Sequence, residues 1–319
     1  ISMSSIKCFL TCRRKYCLRY VEGLEPLRKA RPLSMGGAFH KGLEILWNGG
    51  DMTAAREAVA ASYTPDQRIE AGFDPDLAET ILCEYDARVH WKAWGIQKAE
   101  RKFRINMGYG LWLNGYIDAV ASCDSRGLLI ETKLLSSIDD GYLNHLLWDD
   151  QAAIYLYAAR RLGIEVSGIM YNIVQKPTIK PLRATPEGDR KFKKDGTLYA
   201  NQRDRDETMA EYLERVKAWY ADPERVPFVQ HTVYRNEAQL KELEARVGMI
   251  AADIKAAYKD DSWYPNGGAC AVMSCEYESL CLENTPEARA MFQIDKPKEE
   301  VPAIRPRQRI ETKENESAY

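Results

Sequence analysis

No apolar run in the 319-residue chain approaches the roughly 18 residues that a membrane span requires, so no transmembrane helix is expected. No hydrophobic leader is visible either. Lys7, Arg13, Arg14, Lys15 and Arg19 are scattered among the apolar residues of the first twenty, so no signal peptide is expected and the location expected is cytoplasmic. A G-x-x-x-x-G-K-[ST] phosphate loop is absent, which excludes a nucleotide-driven motor within this sequence. Charge of one sign is also missing: 45 Lys and Arg stand against 47 Asp and Glu, for a net charge of −2. That balance excludes a uniformly basic binder, but it averages over any local groove. Three basic clusters remain, at Arg13–Arg19, Lys176–Arg183 and Arg190–Lys194.

The composition is that of a soluble globular protein, 45% hydrophobic and 29% charged. Its eight cysteines, without a secretory signal, point to a reducing compartment where thiols are structural, catalytic or metal-bound. Cys83 and Cys123 lie in apolar periodic segments and read as plain buried residues. Cys12 stands near one end, and Cys270, Cys275 and Cys281 form the run CAVMSCEYESLC near the other. One early cysteine plus a late trio suggests four thiolates around a metal centre. Spacing leaves zinc and an iron–sulfur cluster both open.

Helical spacing covers 4–20, 35–47, 53–63 and 75–95, so the first third reads as mainly helical. Phe103, Ile105 and Met107 then alternate with polar residues, as a half-buried strand does. Further strands are expected at 112–121, 128–134 and 169–174, with a turn at 123–127 and a helix over 149–162. The result is an α/β fold, a mixed sheet flanked by helices. The domains expected are a helical N-terminal region (1–100), a core (101–183), an exposed charged insertion (184–206), a helical C-terminal region with the cysteine trio (207–290), and a disordered tail (291–319). Helices are expected near 207–220 and 236–258 within the fourth of these. Three prolines and little to bury mark the tail.

The chemistry lies between the two cysteine groups. Asp118 falls in the strand LNGYIDAV, and Glu131-Thr132-Lys133 follows across the turn. Strand alternation puts Glu131 and Lys133 on one face, and an antiparallel neighbour can bring Asp118 beside them. Leu129, Ile130, Leu134 and Leu135 surround these charges with apolar residues. Buried charges are costly unless paired, and two hard carboxylates suit Mg²⁺ or Mn²⁺. Such an ion polarises a phosphoryl oxygen, and an ammonium such as Lys133 orients water or stabilises developing charge. Gln151 and Tyr155 share a face of the next helix, four residues apart. His40 follows Gly36-Gly37, glycines expected to allow tight packing against a site.

The series G-x-x-x-H (Gly36 to His40), G-x-I-D (Gly115 to Asp118), E-T-K (Glu131 to Lys133) and Q-x-x-x-Y (Gln151 to Tyr155) resembles the RecB-type branch of the PD-(D/E)XK nucleases. The opening S-x-x-x-C-F-L-T-C-R-R-K-Y and the late cysteines resemble its iron–sulfur subset, which includes the AddB nuclease domain, CRISPR-associated RecB-like exonucleases and phage exonucleases. The resemblance spans residues 2–285. It implies a restriction-endonuclease-like core with a C-terminal iron–sulfur clamp. His40, Asp118, Glu131 and the Thr132 carbonyl would hold Mg²⁺ or Mn²⁺, Lys133 would be the catalytic lysine, and Gln151 and Tyr155 would position DNA or organise the site. Arg13 and Arg14 are further candidate DNA contacts. The same resemblance favours a [4Fe–4S] cluster on Cys12, Cys270, Cys275 and Cys281, with Zn²⁺ as the alternative. Cys12 precedes Arg13-Arg14-Lys15-Tyr16 as the family cysteine does, although Cys8 and Cys17 share its short helix. The trio opens C-x4-C where the family often has C-x-x-C.

The activity expected is therefore a metal-dependent DNA exonuclease acting on ends or single strands, in phage or mobile-element recombination or repair. Its partners would be DNA and a helicase or a single-strand-binding or annealing protein, with no membrane. Two other readings are a non-catalytic iron–sulfur DNA-binding subunit and a CRISPR-adaptation exonuclease. The intact Asp118, Glu131 and Lys133 weigh against the first, and the insertion at 184–206 against the second. Joining residue 12 to residue 270 would remove roughly 5 kcal/mol of chain entropy from the unfolded state, so the cluster is expected to be structural.

Overall fold

The structure is a computed structural model that describes residues 1–27, 34–108, 110–123, 126–272 and 274–294. Its described residues form two compact units, one within Arg31–Arg101 and Tyr116–Arg235, the other within Ile1–Ala30, Lys102–Gly115 and Asn236–Tyr319.

Along the chain, α1 (Met3–Thr11) begins at a Ser2–Ser5 capping box and stops at Cys12, which is extended. Cys12 is also the cap of the short α2 (Arg13–Tyr16), its sulfur accepting the Lys15 N–H. The single helix expected over 4–20 is thus broken at Cys12 and ends in a π-turn, Cys17–Val21. Strand β1 (Leu24–Pro26) follows. Helices α3 (Ser34–Trp47) and α4 (Met52–Ala61) lie close to expectation. A Thr64–Gln67 capping box with Pro65 then starts α5 (Pro65–Ala71), which periodicity alone did not reveal. Helix α6 (Asp74–Arg88) is shorter than the 75–95 expected, because Val89 turns extended and Gly95 takes a left-handed φ of 55° before the sheet begins.

The sheet is built from β2 (Ile96–Gly108), β3 (Leu111–Cys123), β4 (Arg126–Leu135), β5 (Gly168–Gln175) and β6 (Phe228–Tyr234), in that spatial order. Strands β3 and β4 pair antiparallel, β4 and β5 parallel, and β5 and β6 antiparallel. The sheet is mixed, as the alternation of strands and helices predicts. Strand β5 is buried from Gly168 to Val174 on both faces, which is why it reads as a continuous apolar run. Strand β6 has no apolar signature, being only partly covered, and it escaped the sequence reading. The crossover from β4 to β5 carries α7 (Asp140–His145), a 3-10 turn (Leu146–Trp148) and α8 (Asp150–Arg161). Gly127 permits this crossover to close, because a Cβ there would fall 2.0 Å from the Glu165 carbonyl oxygen.

Helix α9 (Met209–Ala221) starts at a Thr208–Glu211 capping box and packs on α6. Ala38, Phe39, Leu43, Val59, Ile81, Leu82 and Val216 are central to the apolar cluster behind the sheet. The segment at 184–206 has one β-bridge, Phe192–Leu198, and is tied to α9 by ion pairs from Arg203 and Arg205 to Glu211.

In the other unit, α10 (Glu237–Asp260) is capped by Asn236 and Gln239. It is followed by α11 (Gly267–Val272), α12 (Glu278–Leu282), α13 (Pro286–Ala290) and β7 (Phe292–Ile294). Strand β7 pairs antiparallel with β1. The tail assigned to 291–319 therefore does not begin at 291: Phe292 stacks on Tyr277, and that contact anchors the strand. The rest of that tail, from 295, lies outside the described residues, as do positions 124 and 125 of the expected turn and the side chain of Cys123. Among the described residues no helix is long and apolar enough to cross a membrane.

Candidate active site

The β3–β4 register pairs Ala119 with Ile130, so Asp118 falls opposite Glu131 one step further along. Asp118 Oδ2 accepts the Thr132 backbone N–H at 2.7 Å. From α3, His40 Nδ1 approaches the same oxygen at 3.5 Å. Glu100 arrives from β2, and single ligand atoms of His40, Glu100 and Asp118 all lie within 4.8 Å of one another. The arrangement expected from sequence had Glu131, not Glu100, beside His40 and Asp118.

Glu131 is instead the hub of a second group. It is 4% exposed, and its Oε1 accepts the Lys133 ammonium at 2.6 Å and the Gln151 amide at 3.1 Å. That amide also reaches the Tyr155 hydroxyl at 3.3 Å. Thus β4 and α8 bring together the pair Glu131 and Lys133 and the pair Gln151 and Tyr155, each on the shared face that its spacing suggested. Asp149 sets the position of α8, accepting both the Gln151 N–H at 3.0 Å and the Tyr171 hydroxyl at 3.3 Å.

Thr132 faces the other way and is buried. Asn172, its register partner on β5, donates to Thr132 Oγ1 and to the Tyr85 hydroxyl, and accepts from Gln230. This polar network fixes β4 while the Thr132 backbone serves both Asp118 and His40.

Electrostatics show what the site is short of. Burial, and then the charge of Glu131, push the Asp118 carboxyl well above the usual range. Glu100 is raised too, by burial first, then by Glu44 one helical turn beyond His40 on α3. Burial alone would lower Lys133, but contact with Glu131 outweighs it and holds the ammonium above its usual value. His40 is pushed down to about 4 by burial, with Lys133 adding, so its imidazole is neutral near pH 7 and free to ligate. A neutral imidazole and two crowded carboxylate oxygens make a donor set for a hard divalent cation, whose charge would relieve the repulsion.

Glu100 was missed because a lone glutamate in AERKF looks like a solvated strand face. Its φ of 51°, inside a strand, is the structural mark. A side chain bearing a Cβ pays for that left-handed conformation, and such strain gathers at functional positions. Asn48 holds the preceding residue, its Oδ1 accepting the Ala99 N–H at 3.3 Å. Gly36 and Gly37 correct an expectation: a Cβ at either would meet nothing within 4 Å, so they face open space rather than a packed wall.

Arg13 and Arg14 belong to the other unit, with Cys12, Cys270, Cys275 and Cys281. The Arg13 guanidinium lies over the rings of Phe9 and Tyr264. Burial raises the Cys281 thiol, Arg14 opposes that rise, and Cys275, Cys12 and Cys270 add to it, so each of these three cysteines lies within electrostatic reach of Cys281.

Comparison with known proteins follows this geometry. The family model described as the PD-(D/E)XK nuclease superfamily matches residues 1–282. No curated protein matches the chain. Among solved structures, the chain is similar to a "Putative exonuclease" from Eubacterium rectale at 12% identity and a TM-score of 0.48, over 86% of this chain and 88% of that one. The five-stranded mixed sheet with flanking helices fits a restriction-endonuclease-like core. On the breadth of the family match, this chain belongs to the PD-(D/E)XK nuclease superfamily.

Proposed function

We propose that the chain is a Mg²⁺- or Mn²⁺-dependent exonuclease that hydrolyses DNA from ends or along single strands. The observation that carries this reading is the meeting of His40, Glu100 and Asp118 beside the Lys133–Glu131 ion pair. His40, Glu100 and Asp118 would hold the ion, with the Thr132 carbonyl and Glu131 adjoining. Once bound, the ion would polarise the scissile phosphate and acidify a water. Lys133, held by Glu131, would stabilise the negative charge developing on the phosphate oxygens. Gln151 donates to Glu131 and to the Tyr155 hydroxyl, and in this reading the two residues would face the strand being cut. The intact lysine and carboxylates support catalysis over a binding-only role.

The same reading assigns Cys12, Cys270, Cys275 and Cys281 to a [4Fe–4S] cluster. Cys12 accepts the Lys15 backbone N–H, whereas the Cys17 thiol is already engaged as a donor to Glu22. The biological setting in this reading is cytoplasmic recombination or repair in a phage or mobile element, with unwinding supplied by a helicase partner.

The test is degradation of end-labelled single- and double-stranded DNA with Mg²⁺ or Mn²⁺, comparing anaerobically purified wild type with Lys133→Ala. Metal-dependent product ladders from wild type alone support the reading and reveal polarity. An inactive wild type with its iron intact would favour the binding subunit.

A further inference from the structure

The segment between the catalytic strand and α8 carries a feature that hydrolysis itself does not use. Leu146 is buried, but the next two side chains are not: Leu147 is 51% exposed and Trp148 is 79% exposed. An indole that far into water loses the burial that normally stabilises it. It is not exposed through fraying. The Leu146 carbonyl accepts from the Tyr171 hydroxyl, and Arg235 donates to the carbonyls of Leu146 and Leu147. Tyr171 also holds Asp149, the cap of α8. The backbone on both sides of Trp148 is therefore pinned, and the ring has no partner among the described residues. Three residues later comes Gln151, hydrogen-bonded to Glu131 at the centre of the site. A second ring, Tyr142 on α7, is half-buried, and its hydroxyl is within electrostatic reach of Lys133, Asp149 and Glu131.

We propose that Trp148, with Tyr142 inward of it, stacks on unpaired bases of the substrate strand next to the scissile phosphate, and so selects single-stranded or frayed ends. The inference rests on the nucleic-acid reading of the site given above. Its physical basis is that bases within a duplex have both faces covered by their neighbours, whereas an unstacked base offers a free face to an aromatic ring. Stacking is tolerant of sequence, which suits an enzyme that must move past every base. The pinned backbone keeps the ring presented in advance, so little ordering is needed on binding.

The test is fluorescence anisotropy with a labelled single-stranded oligonucleotide and a duplex of equal length, in Ca²⁺ to suppress cleavage. Wild type, Trp148→Ala, Trp148→Phe and Tyr142→Ala are compared. Trp148→Ala is expected to weaken single-strand binding by about tenfold and duplex binding far less. Trp148→Phe should restore most of the loss, and Tyr142→Ala should show a smaller one. Replacing the end bases by abasic sites should cost wild type the same factor while costing Trp148→Ala little more. Equal single-strand affinity in wild type and Trp148→Ala, or an equal loss on single-stranded, duplex and abasic DNA, overturns the proposal. Failure of the nuclease reading looks different: wild type and Lys133→Ala would then degrade DNA equally, whatever Trp148 does to binding.

Discussion

On the proposed reading, the acidic site and the cysteine site would ask opposite things of a metal. Behind the acidic site lies an apolar cluster of twenty-six buried residues, drawn from α3, α4, α6, α9 and the sheet. That cluster is large enough to hold the site's backbone in place, and the site itself adds repulsion between Asp118, Glu100 and Glu131. Beside the cysteine trio the buried cluster is Leu18, Leu24, Tyr277, Leu280 and Ala288, five residues joining distant parts of the chain. Tyr277 donates to the Leu24 carbonyl there at 2.8 Å, and β1 pairs with β7. A small cluster closing so long a loop gains from a cross-link, while a large one has stability to spend on crowded carboxylates. On the proposed reading, metal at the first site would supply chemistry and at the second a staple.

The sharpest break in that contrast comes from Lys133→Ala. Hydrolysis of end-labelled DNA should fall about 10³-fold, while the thermal midpoint moves by only a few degrees. Cys275→Ala should do the reverse. Iron content should drop and stability fall by about 3 kcal/mol, since cross-links rarely reach the full chain-entropy limit, while activity per folded molecule stays within about threefold. If Cys275→Ala kept both iron and thermal midpoint, the staple would be refuted. Asn172→Ala lies between the two, because it strips a partner from Tyr85 and Thr132 in the buried network behind β4. A loss of about 2 kcal/mol is expected by denaturant titration, with a modest fall in activity. Smallest of all is Glu100→Gln, for which half-saturation by Mg²⁺ should rise about tenfold. The metal-free protein should be no less stable and slightly more so, because one repulsive charge is gone. A marked drop in metal-free stability would mean that Glu100 supports the fold rather than the site.

Most of the catalytic strand pair was legible in the sequence, for a simple reason. Strand alternation fixes which of Asp118, Glu131 and Lys133 share a face, and the apolar residues around them show that the charges are buried. Cys12 and the late trio Cys270, Cys275 and Cys281 stand out in the sequence by their grouping, and their assignment to one cluster is a proposal that spacing alone does not decide. Glu100 was not legible, since no local pattern announces a left-handed glutamate within a strand, and its neighbours Arg101 and Lys102 disguise it as surface. Strand β6 gave no alternation because its faces are only partly covered. Strand β7 was hidden in a charged, proline-containing stretch, and a single stacking contact between Phe292 and Tyr277 decides its fate. Trp148 gave no signal, because a tryptophan in sequence reads as core. Only the pinned carbonyls of Leu146 and Leu147 show that it is held outside.

The most direct test of the central claim is calorimetric titration of Mn²⁺ into the iron-loaded protein, comparing wild type with Asp118→Asn. One saturable site in wild type, lost or weakened by at least about tenfold in Asp118→Asn at unchanged iron content, is the result expected. Equal Mn²⁺ binding by the two proteins would show that His40, Glu100 and Asp118 do not hold the ion, and the account of the active site would fall with them.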